Sequence, residues 1–148
     1  MEILCYNFFM SKISITNEQK KALFEAAEKM LGFSYAPYSN FCVGAALLCA
    51  DGKIFTGCNV ENAAYGPSNC AERTAVFKAV SEGSKDFVAI AIVGGKNGVM
   101  EDFCPPCGVC RQVLSEFCSK DFLILLKDKK KQVKEFTLEQ LLPESFSL

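Results

Sequence analysis

Two short stretches of the sequence carry cysteines at a spacing that suits a metal site. Cys70 lies in SNCAER, and Cys107 and Cys110 lie in PPCGVC. Both stretches have the pattern of a helix start, where free N–H groups and the helix dipole lower the pKa of a thiol. Cys107 and Cys110, three residues apart, share one helical face. If the two helix starts lie side by side, three thiolates converge on one tetrahedral ion and leave its fourth position open, as catalytic zinc requires.

Glu72 follows Cys70 by two residues and adds a carboxylate to the same helical turn. A carboxylate at this place reaches a water molecule on the metal without being a ligand itself. Water, a carboxylate and a Lewis acid are sufficient for hydrolytic chemistry. The chain contains no histidine, so imidazole takes no part in the reaction of these residues.

The cysteine spacing taken alone leaves other functions open. Such spacings also occur in unrelated buried thiols, in CxxC disulfide oxidoreductases, in structural zinc modules and in iron–sulfur ligand sets, which would begin at Cys104. An oxidoreductase leaves CAER unexplained, and a structural zinc site is closed by four ligands and has no use for Glu72. The iron–sulfur set lacks a further cysteine followed by proline.

Composition limits the class of protein. A chain of 148 residues suits one domain, which we place at 16–148 behind an N-terminal extension, 1–15. The net charge of −1 and the lack of a long apolar run argue against nucleic-acid and membrane partners. The chain has nine cysteines, an odd number, and its N-terminal stretch lacks the pattern of a secretory signal. These features indicate reduced thiols and a cytoplasmic location. Apart from Cys104, whose role is open, the remaining cysteines are assigned to packing, namely Cys5, Cys42, Cys49, Cys58 and Cys118.

The predicted elements follow the order α-β-β-α-β-α-β-β. Thr16 and Gln19 form a capping-box signature for the first helix, and Asp51-Gly52 predicts a hairpin turn between the first two strands. The unbroken apolar run at 87–95 is typical of a central strand buried on both faces. We expect an α/β fold, a three-layer α/β/α sandwich around a five-stranded mixed sheet. Its helices start at residues 16, 70 and 105, and its strands lie at 41–50, 53–60, 87–95, 122–126 and 132–138, with a solvated lysine-rich turn at 127–131.

Together these motifs resemble those of the small, homotetrameric, zinc-dependent cytidine deaminases, which act on free nucleosides. The zinc-deaminase pattern H-x-E…P-C-x-x-C has the form C-A-E…P-C-x-x-C in this chain, which is the three-cysteine variant. CAER, PCGVCRQ, FCVGAAL and NVENAAYG match that family in order and spacing, from about residue 17 to the end. The resemblance implies one Zn²⁺ per chain and hydrolysis of cytidine and 2′-deoxycytidine to uridine and 2′-deoxyuridine in pyrimidine salvage. Glu72 is then the catalytic acid–base. A blasticidin-S deaminase is the related alternative, which the ribose-binding sequence NVEN disfavours.

The resemblance also implies which residues contact the nucleoside. Phe41 packs against the pyrimidine, the side chains of Asn59 and Glu61 hydrogen-bond a ribose hydroxyl, and the backbone of Ala71 holds the edge of the base. Phe146 resembles a C-terminal aromatic residue that reaches the site of a neighbouring subunit and stacks on the base. A homotetramer with its sites at subunit interfaces follows from that resemblance.

Three thiolates pose an electrostatic problem, because zinc bound by three of them carries a net negative charge and is a poor Lewis acid. The two helix dipoles offset part of that charge. The resemblance implies that Arg73 is the cationic partner of a ligand sulfur, and Gln112 is placed to donate a supporting hydrogen bond. The missing histidine is consistent with this three-cysteine set provided that these donors are in place.

Overall fold

The computed structural model describes residues 14–146 and 148, and its elements follow the predicted order with one further short helix after the last strand. A short 3₁₀ helix, Leu31–Phe33, continues the first helix. The helices are α1 Asn17–Met30, α2 Ala71–Ser81, α3 Gly108–Phe117 and α4 Leu138–Leu141. The strands are β1 Phe41–Cys49, β2 Ile54–Cys58, β3 Phe87–Lys96, β4 Leu123–Lys127 and β5 Val133–Thr137.

The five strands form one mixed sheet in the order β2-β1-β3-β4-β5. The β3–β4 pair is parallel, and α3 lies in the crossover between these two strands. The other three pairs are antiparallel, which settles the sense of β5 that the sequence left open. The apolar run of β3 lies at the centre of the sheet, where both of its faces are covered.

Helices pack on both faces of the sheet. On one face α1 contributes Leu23 and Ala27 to a buried cluster with alternate residues of the central strands. On the other face α2 and α3 contribute Val76 and Leu114 to a second cluster, together with the strand residues that point the other way. The predicted three-layer α/β/α sandwich is therefore confirmed.

The helix starts determine where the candidate ligands lie. A complete capping box between Thr16 and Gln19 begins α1, as predicted. Helix α2 begins directly after Cys70 and α3 directly after Cys107, so both cysteines are N-cap residues. The predicted start of α3 at residue 105 is wrong. Pro105 precedes Pro106, and a residue that precedes a proline avoids helical backbone. Pro106 itself lies before the N-cap residue, Cys107.

The cysteines that the sequence assigns to packing lie in or against the core where they are described. Two are buried and two are partly buried, namely Cys49, Cys58, Cys42 and Cys118. Cys5 and the other residues of 1–13 lie outside the described residues. Ile15, which the sequence analysis assigned to the extension, is buried in the same cluster as α1.

The surface shows one departure from the expected solvated turn after β4. The Lys127 Nζ lies 2.6 Å from the Glu28 Oε1 and also sits over the ring of Phe24, so the expectation of full solvation is wrong for this lysine. None of the helices in the described ranges combines the length and the apolarity that a membrane crossing requires.

Candidate metal centre and active site

Three cysteine thiols meet where α2 and α3 start. The Sγ atoms of Cys70 and Cys107 lie 3.8 Å apart, and the Sγ atoms of Cys70, Cys107 and Cys110 all lie within 4.8 Å of one another. The structure thus brings together the three ligands that the sequence predicts. Within 14–146 and 148, this is the only such group of metal-binding side chains.

The spacing and chemistry of the three sulfurs fit zinc. Zn–S bonds of about 2.3 Å in a tetrahedron place neighbouring sulfurs about 3.8 Å apart, the distance observed between Cys70 and Cys107. Soft thiolates select zinc over hard cations such as Mg²⁺ and Ca²⁺. Cys110 is buried and Cys107 is exposed, so the cluster opens to the surface beside Cys107. Three protein donors leave one position of a tetrahedral zinc for a non-protein ligand.

Close packing of α2 on β2 holds Cys70 in place. A Cβ atom at Gly57 would lie only 2.3 Å from the carbonyl oxygen of Ala71, so the first turn of α2 rests directly on the strand backbone. The hydroxyl of Thr74 adds a hydrogen bond to the Cys58 carbonyl at 3.0 Å. The role of Gly57 was not predicted from the sequence, because a glycine inside a strand pattern indicates close approach of another segment without indicating which one.

The thiols differ in how readily they ionise. Hydrogen bonds from the Cys110 thiol, Arg73 and Cys107 lower the pKa of Cys70 to about 5, against the opposing effect of burial. The pKa of Cys110 is raised, since it donates to the Cys70 sulfur and is itself buried. Cys70 therefore forms a thiolate more readily than Cys110, and binding of a divalent cation by Cys110 releases the proton of its thiol.

Arg73 places a cation beside the ligand sulfurs. Its Nη2 lies 3.5 Å from the Cys70 Sγ, and its Nε is buried without a hydrogen-bond partner among the described residues. Within those residues, none of the ion pairs includes an arginine. The positive charge of Arg73 is thus directed at sulfur instead of a carboxylate, where a charge-assisted hydrogen bond favours the thiolate.

Glu72 is a buried carboxyl group next to the thiols, with 4% of its surface exposed. Burial raises the pKa of Glu72 to about 7, and the nearby charge of Cys70 adds to the increase. A carboxyl group with a pKa near neutrality can both accept and donate a proton within one reaction cycle. The other buried acidic residue in the described ranges, Asp128, accepts backbone hydrogen bonds within its own turn.

Asn59 lies beside Phe41, and its side chain binds the backbone of β1. Its Nδ2 donates to the Phe41 carbonyl at 2.8 Å, and its Oδ1 accepts from the Val43 amide at 2.8 Å and from the Ser34 hydroxyl. The amide retains one N–H for a further acceptor. Asn59 thus has a structural use that the sequence did not predict, and its contact with ribose stays a prediction.

Glu61 joins the loop after β2 to the turn before β1. Its carboxylate accepts hydrogen bonds from the amides of Tyr38 at 2.9 Å and Ser39 at 3.2 Å, and from the hydroxyl of Ser39. These hydrogen bonds lower the pKa of Glu61, and the bond from the Ser39 hydroxyl has the largest effect. An ionised carboxylate has about four acceptor sites, so Glu61 keeps capacity for a hydroxyl donor.

Cys104, whose role the sequence left open, packs against the ring of Phe41. A Cβ atom at Gly94 would lie 2.9 Å from the Cys104 Sγ and 3.0 Å from the Phe41 Cε1, so the thiol and the ring pack together over this glycine. Burial, with the charges of Glu72 and Cys70, raises the pKa of Cys104 to about 12. At neutral pH Cys104 is therefore an uncharged thiol beside Phe41.

Gln112 and Phe146 are not brought to the thiols of their own chain. Both line a shallow groove on the outer side of α3 together with Glu116, and Phe146 is 67% exposed. Among the described residues the Gln112 side chain donates no hydrogen bond to a ligand sulfur. The neighbouring Arg111 binds the loop before Cys107 instead, a contact that the sequence analysis missed because its acceptors are backbone carbonyls.

Comparison with known proteins places this geometry in a family. Residues 17–126 match the family model described as the cytidine and deoxycytidylate deaminase zinc-binding region. A cytidine deaminase from Sporosarcina psychrophila is 51% identical over 114 residues, which are 77% of this chain and 81% of that protein. One from Halalkalibacterium halodurans is 50% identical over 114 residues, 77% of this chain and 83% of that protein. The crystal structure of a cytidine deaminase from Burkholderia pseudomallei matches with a TM-score of 0.79 and 46% identity, covering 89% of this chain and 100% of that chain. The chain therefore belongs to the family of zinc-binding cytidine and deoxycytidylate deaminases.

Proposed function

We propose that this protein hydrolyses the 4-amino group of cytidine and 2′-deoxycytidine, which gives uridine or 2′-deoxyuridine and ammonia, in salvage of pyrimidine nucleosides. One observation carries the proposal: the buried carboxyl of Glu72 adjoins three thiols at zinc spacing. The relatives named cytidine deaminases support the substrate class. The catalytic domain would span residues 16–148.

Cys70, Cys107 and Cys110 would hold the zinc ion, one per chain. When bound, zinc supplies a Lewis acid that makes water a nucleophile near neutral pH. Arg73 and the N-termini of α2 and α3 offset the charge of the thiolates. Without this offset, three thiolates would leave too much negative charge at the metal and make zinc a poor Lewis acid.

Glu72 would move the protons of the reaction. Its carboxylate takes the proton of the attacking water and passes it to N3 of the pyrimidine. It then delivers the second proton of that water to the amino group, which departs as ammonia. The pKa of about 7 suits both transfers, and burial keeps the carboxyl away from bulk water.

The nucleoside would lie between the thiol cluster and the loops at the start of β1. Phe41, with Cys104 beside it, offers an apolar surface for the base. The remaining N–H of Asn59 and the carboxylate of Glu61 suit a ribose hydroxyl, as donor and acceptor respectively. Ala71 is the first residue of α2, where a backbone N–H has no helical partner and is available to the base.

The active protein would be a homotetramer, with sites at the subunit interfaces and Phe146 contributed by a neighbour. The exposure of Phe146, on a surface of α3 that lies away from the thiols of its own chain, supports a role in another copy. A reducing compartment such as the cytoplasm is proposed because the ligand thiols must stay reduced to bind zinc.

Zinc content and cytidine turnover, measured on one preparation, test the proposed function. We expect one zinc per chain and a fall in cytidine absorbance on mixing, with recovery of both after chelation and re-addition of zinc. Activity in zinc-free protein would contradict the metal assignment. Bound zinc with no turnover of either nucleoside would point to a structural zinc module, and thiol-dependent disulfide reduction would point to an oxidoreductase.

A further inference from the structure

Arg111 joins two segments that both belong to the proposed site. Its Nε donates a hydrogen bond to the Pro106 carbonyl at 2.8 Å, and its Nη1 donates one to the Leu141 carbonyl at 2.6 Å. Pro106 directly precedes the ligand Cys107. Leu141 ends α4, in the C-terminal segment that continues to Phe146.

An arginine suits this place because both acceptors lack a helical partner. Pro106 lies before the N-cap of α3, and Leu141 ends a helix, where the last carbonyls have no intrahelical donor. Pro106 is also fully buried, and a buried carbonyl without a donor is costly. The rigid guanidinium binds the two acceptors through two separate nitrogens, Nε and Nη1, whereas lysine has all of its donors on one nitrogen at the end of a flexible stem.

The charge of Arg111 has no carboxylate partner in the part of the chain that the structure describes. The two carbonyls are therefore the contacts that hold its guanidinium in place. Both bonds come from one planar guanidinium, so a shift of Leu141 that moves this group also changes its bond to the Pro106 carbonyl.

We propose that Arg111 is a positioning residue that couples the loop of Cys107 to the C-terminal segment carrying Phe146. Through this coupling, the zinc site of one chain and the aromatic residue that the same chain offers to its neighbour depend on one another. The proposal rests on the proposed function and adds a residue that acts through others, without touching substrate or metal.

Arg111→Gln tests the coupling, with Lys120→Gln as the matched control. Lys120 pairs with Glu139 of α4 at 3.4 Å on the surface, so its replacement removes a positive charge beside the same helix and leaves both carbonyls bound. Zinc affinity is measured by competition with a chromogenic chelator, and KM and kcat for cytidine are measured at zinc saturation. Arg111→Gln should weaken zinc binding about 10–100-fold and raise KM several-fold, whereas Lys120→Gln changes neither.

A double variant separates coupling from a general loss of stability. Arg111→Gln combined with Phe146→Ala should raise KM no further than the larger single effect, because both act through one segment. Multiplying KM effects, or zinc affinity equal to that of Lys120→Gln, would overturn the proposal. If Arg111→Gln does not fold, Arg111→Lys keeps the charge and should still weaken zinc binding; a lysine variant with unchanged zinc affinity and KM would overturn it. A wild-type protein without zinc or turnover would refute the proposed function instead, so the two failures are distinct.

Discussion

The two ends of the proposed site are built in different ways. At the metal end, Glu72 and Cys110 are buried and stand on the first turns of helices that pack against the sheet. At the substrate end, Asn59 and Glu61 lie on loops, and aromatic side chains are left exposed around the chain, among them Tyr38 and Phe146. One end is held by the core of the domain, and the other by hydrogen bonds of loop side chains to strand β1 and to a neighbouring turn.

This difference indicates which parts of the proposed site a single chain can form by itself. Gly57 and the caps of α2 and α3 set the positions of the sulfurs with backbone contacts that leave little freedom. The substrate end has its polar groups in place but leaves apolar surface uncovered, which suits completion by a nucleoside and by a second copy of the chain. Variants at the metal end should therefore act on kcat and zinc, and variants at the substrate end on KM.

The largest expected effect is that of Cys107→Ala. Loss of one of three ligands should remove zinc and activity together, with a fall in kcat beyond the roughly 10²–10⁴-fold of an acid–base residue alone. Cys118→Ala is the control, since Cys118 is a partly buried thiol outside the cluster. Metal analysis and cytidine turnover check this; an active variant without zinc would contradict the ligand set.

Glu72→Gln should leave zinc and fold intact and lower kcat by at least about 10²-fold. The amide keeps the shape of the side chain but cannot take up the proton of the water. Glu116→Gln, on the exposed side of α3, serves as the control. Normal turnover by Glu72→Gln, measured by cytidine absorbance, would reduce Glu72 to a charge that favours the helix N-terminus.

Arg73→Ala should shift the pH dependence of the metal end. Arg73 lowers the pKa of Cys70, so its removal lets Cys70 take up a proton at higher pH. Because zinc binds the thiolate, the midpoint of acid-induced zinc loss and the pH–rate profile should both move upward by about one unit. Turnover at neutral pH should also fall, because the site loses the cation that offsets the charge of the thiolates. An unchanged profile, matching the Lys78→Ala control on the same helix, would assign Arg73 to the surface or to a subunit contact.

Phe146→Ala should have the smallest effect, a several-fold rise in KM, since stacking contributes roughly 0.5–1.5 kcal/mol beyond area burial. Leu148→Ala, in the same exposed segment, is the control. Hybrid oligomers reassembled from Phe146→Ala and Glu72→Gln chains should regain low-KM sites, because the inactive chain donates its ring to the active one. Formation of hybrids without such recovery would place Phe146 outside the neighbouring site.

The grouping of Cys70, Cys107 and Cys110 was predictable from the sequence because its signals are local. Cysteines at helix starts, with Glu72 two residues after Cys70, indicate ligand set and acid–base group without knowledge of distant contacts. The strands and the capping box of α1 follow local patterns in the same way. The start of α3 was misplaced because a proline favours a helix start without deciding which of the next residues is the cap.

The remaining contacts were not predictable because they join segments far apart in the chain. Asn59 binds backbone atoms of β1, Arg111 binds the carbonyl of Leu141, and Cys104 packs on Phe41 over Gly94. Each contact depends on which segment of the chain the fold brings next to the side chain, and the type of a residue alone does not predict that segment. For the same reason the sequence predicted a hydrogen bond from Gln112 to the ligands and did not predict that its neighbour Arg111 binds the Pro106 carbonyl.

X-ray absorption spectroscopy at the zinc edge, on the wild-type protein, tests the central claim most directly. We expect one zinc per chain with three sulfur neighbours at about 2.3 Å and one lighter neighbour at about 2.0 Å. In Cys107→Ala the three-sulfur shell should be lost. A closed shell of four sulfurs in the wild type, or a three-sulfur shell that survives Cys107→Ala, would contradict the open catalytic site formed by Cys70, Cys107 and Cys110.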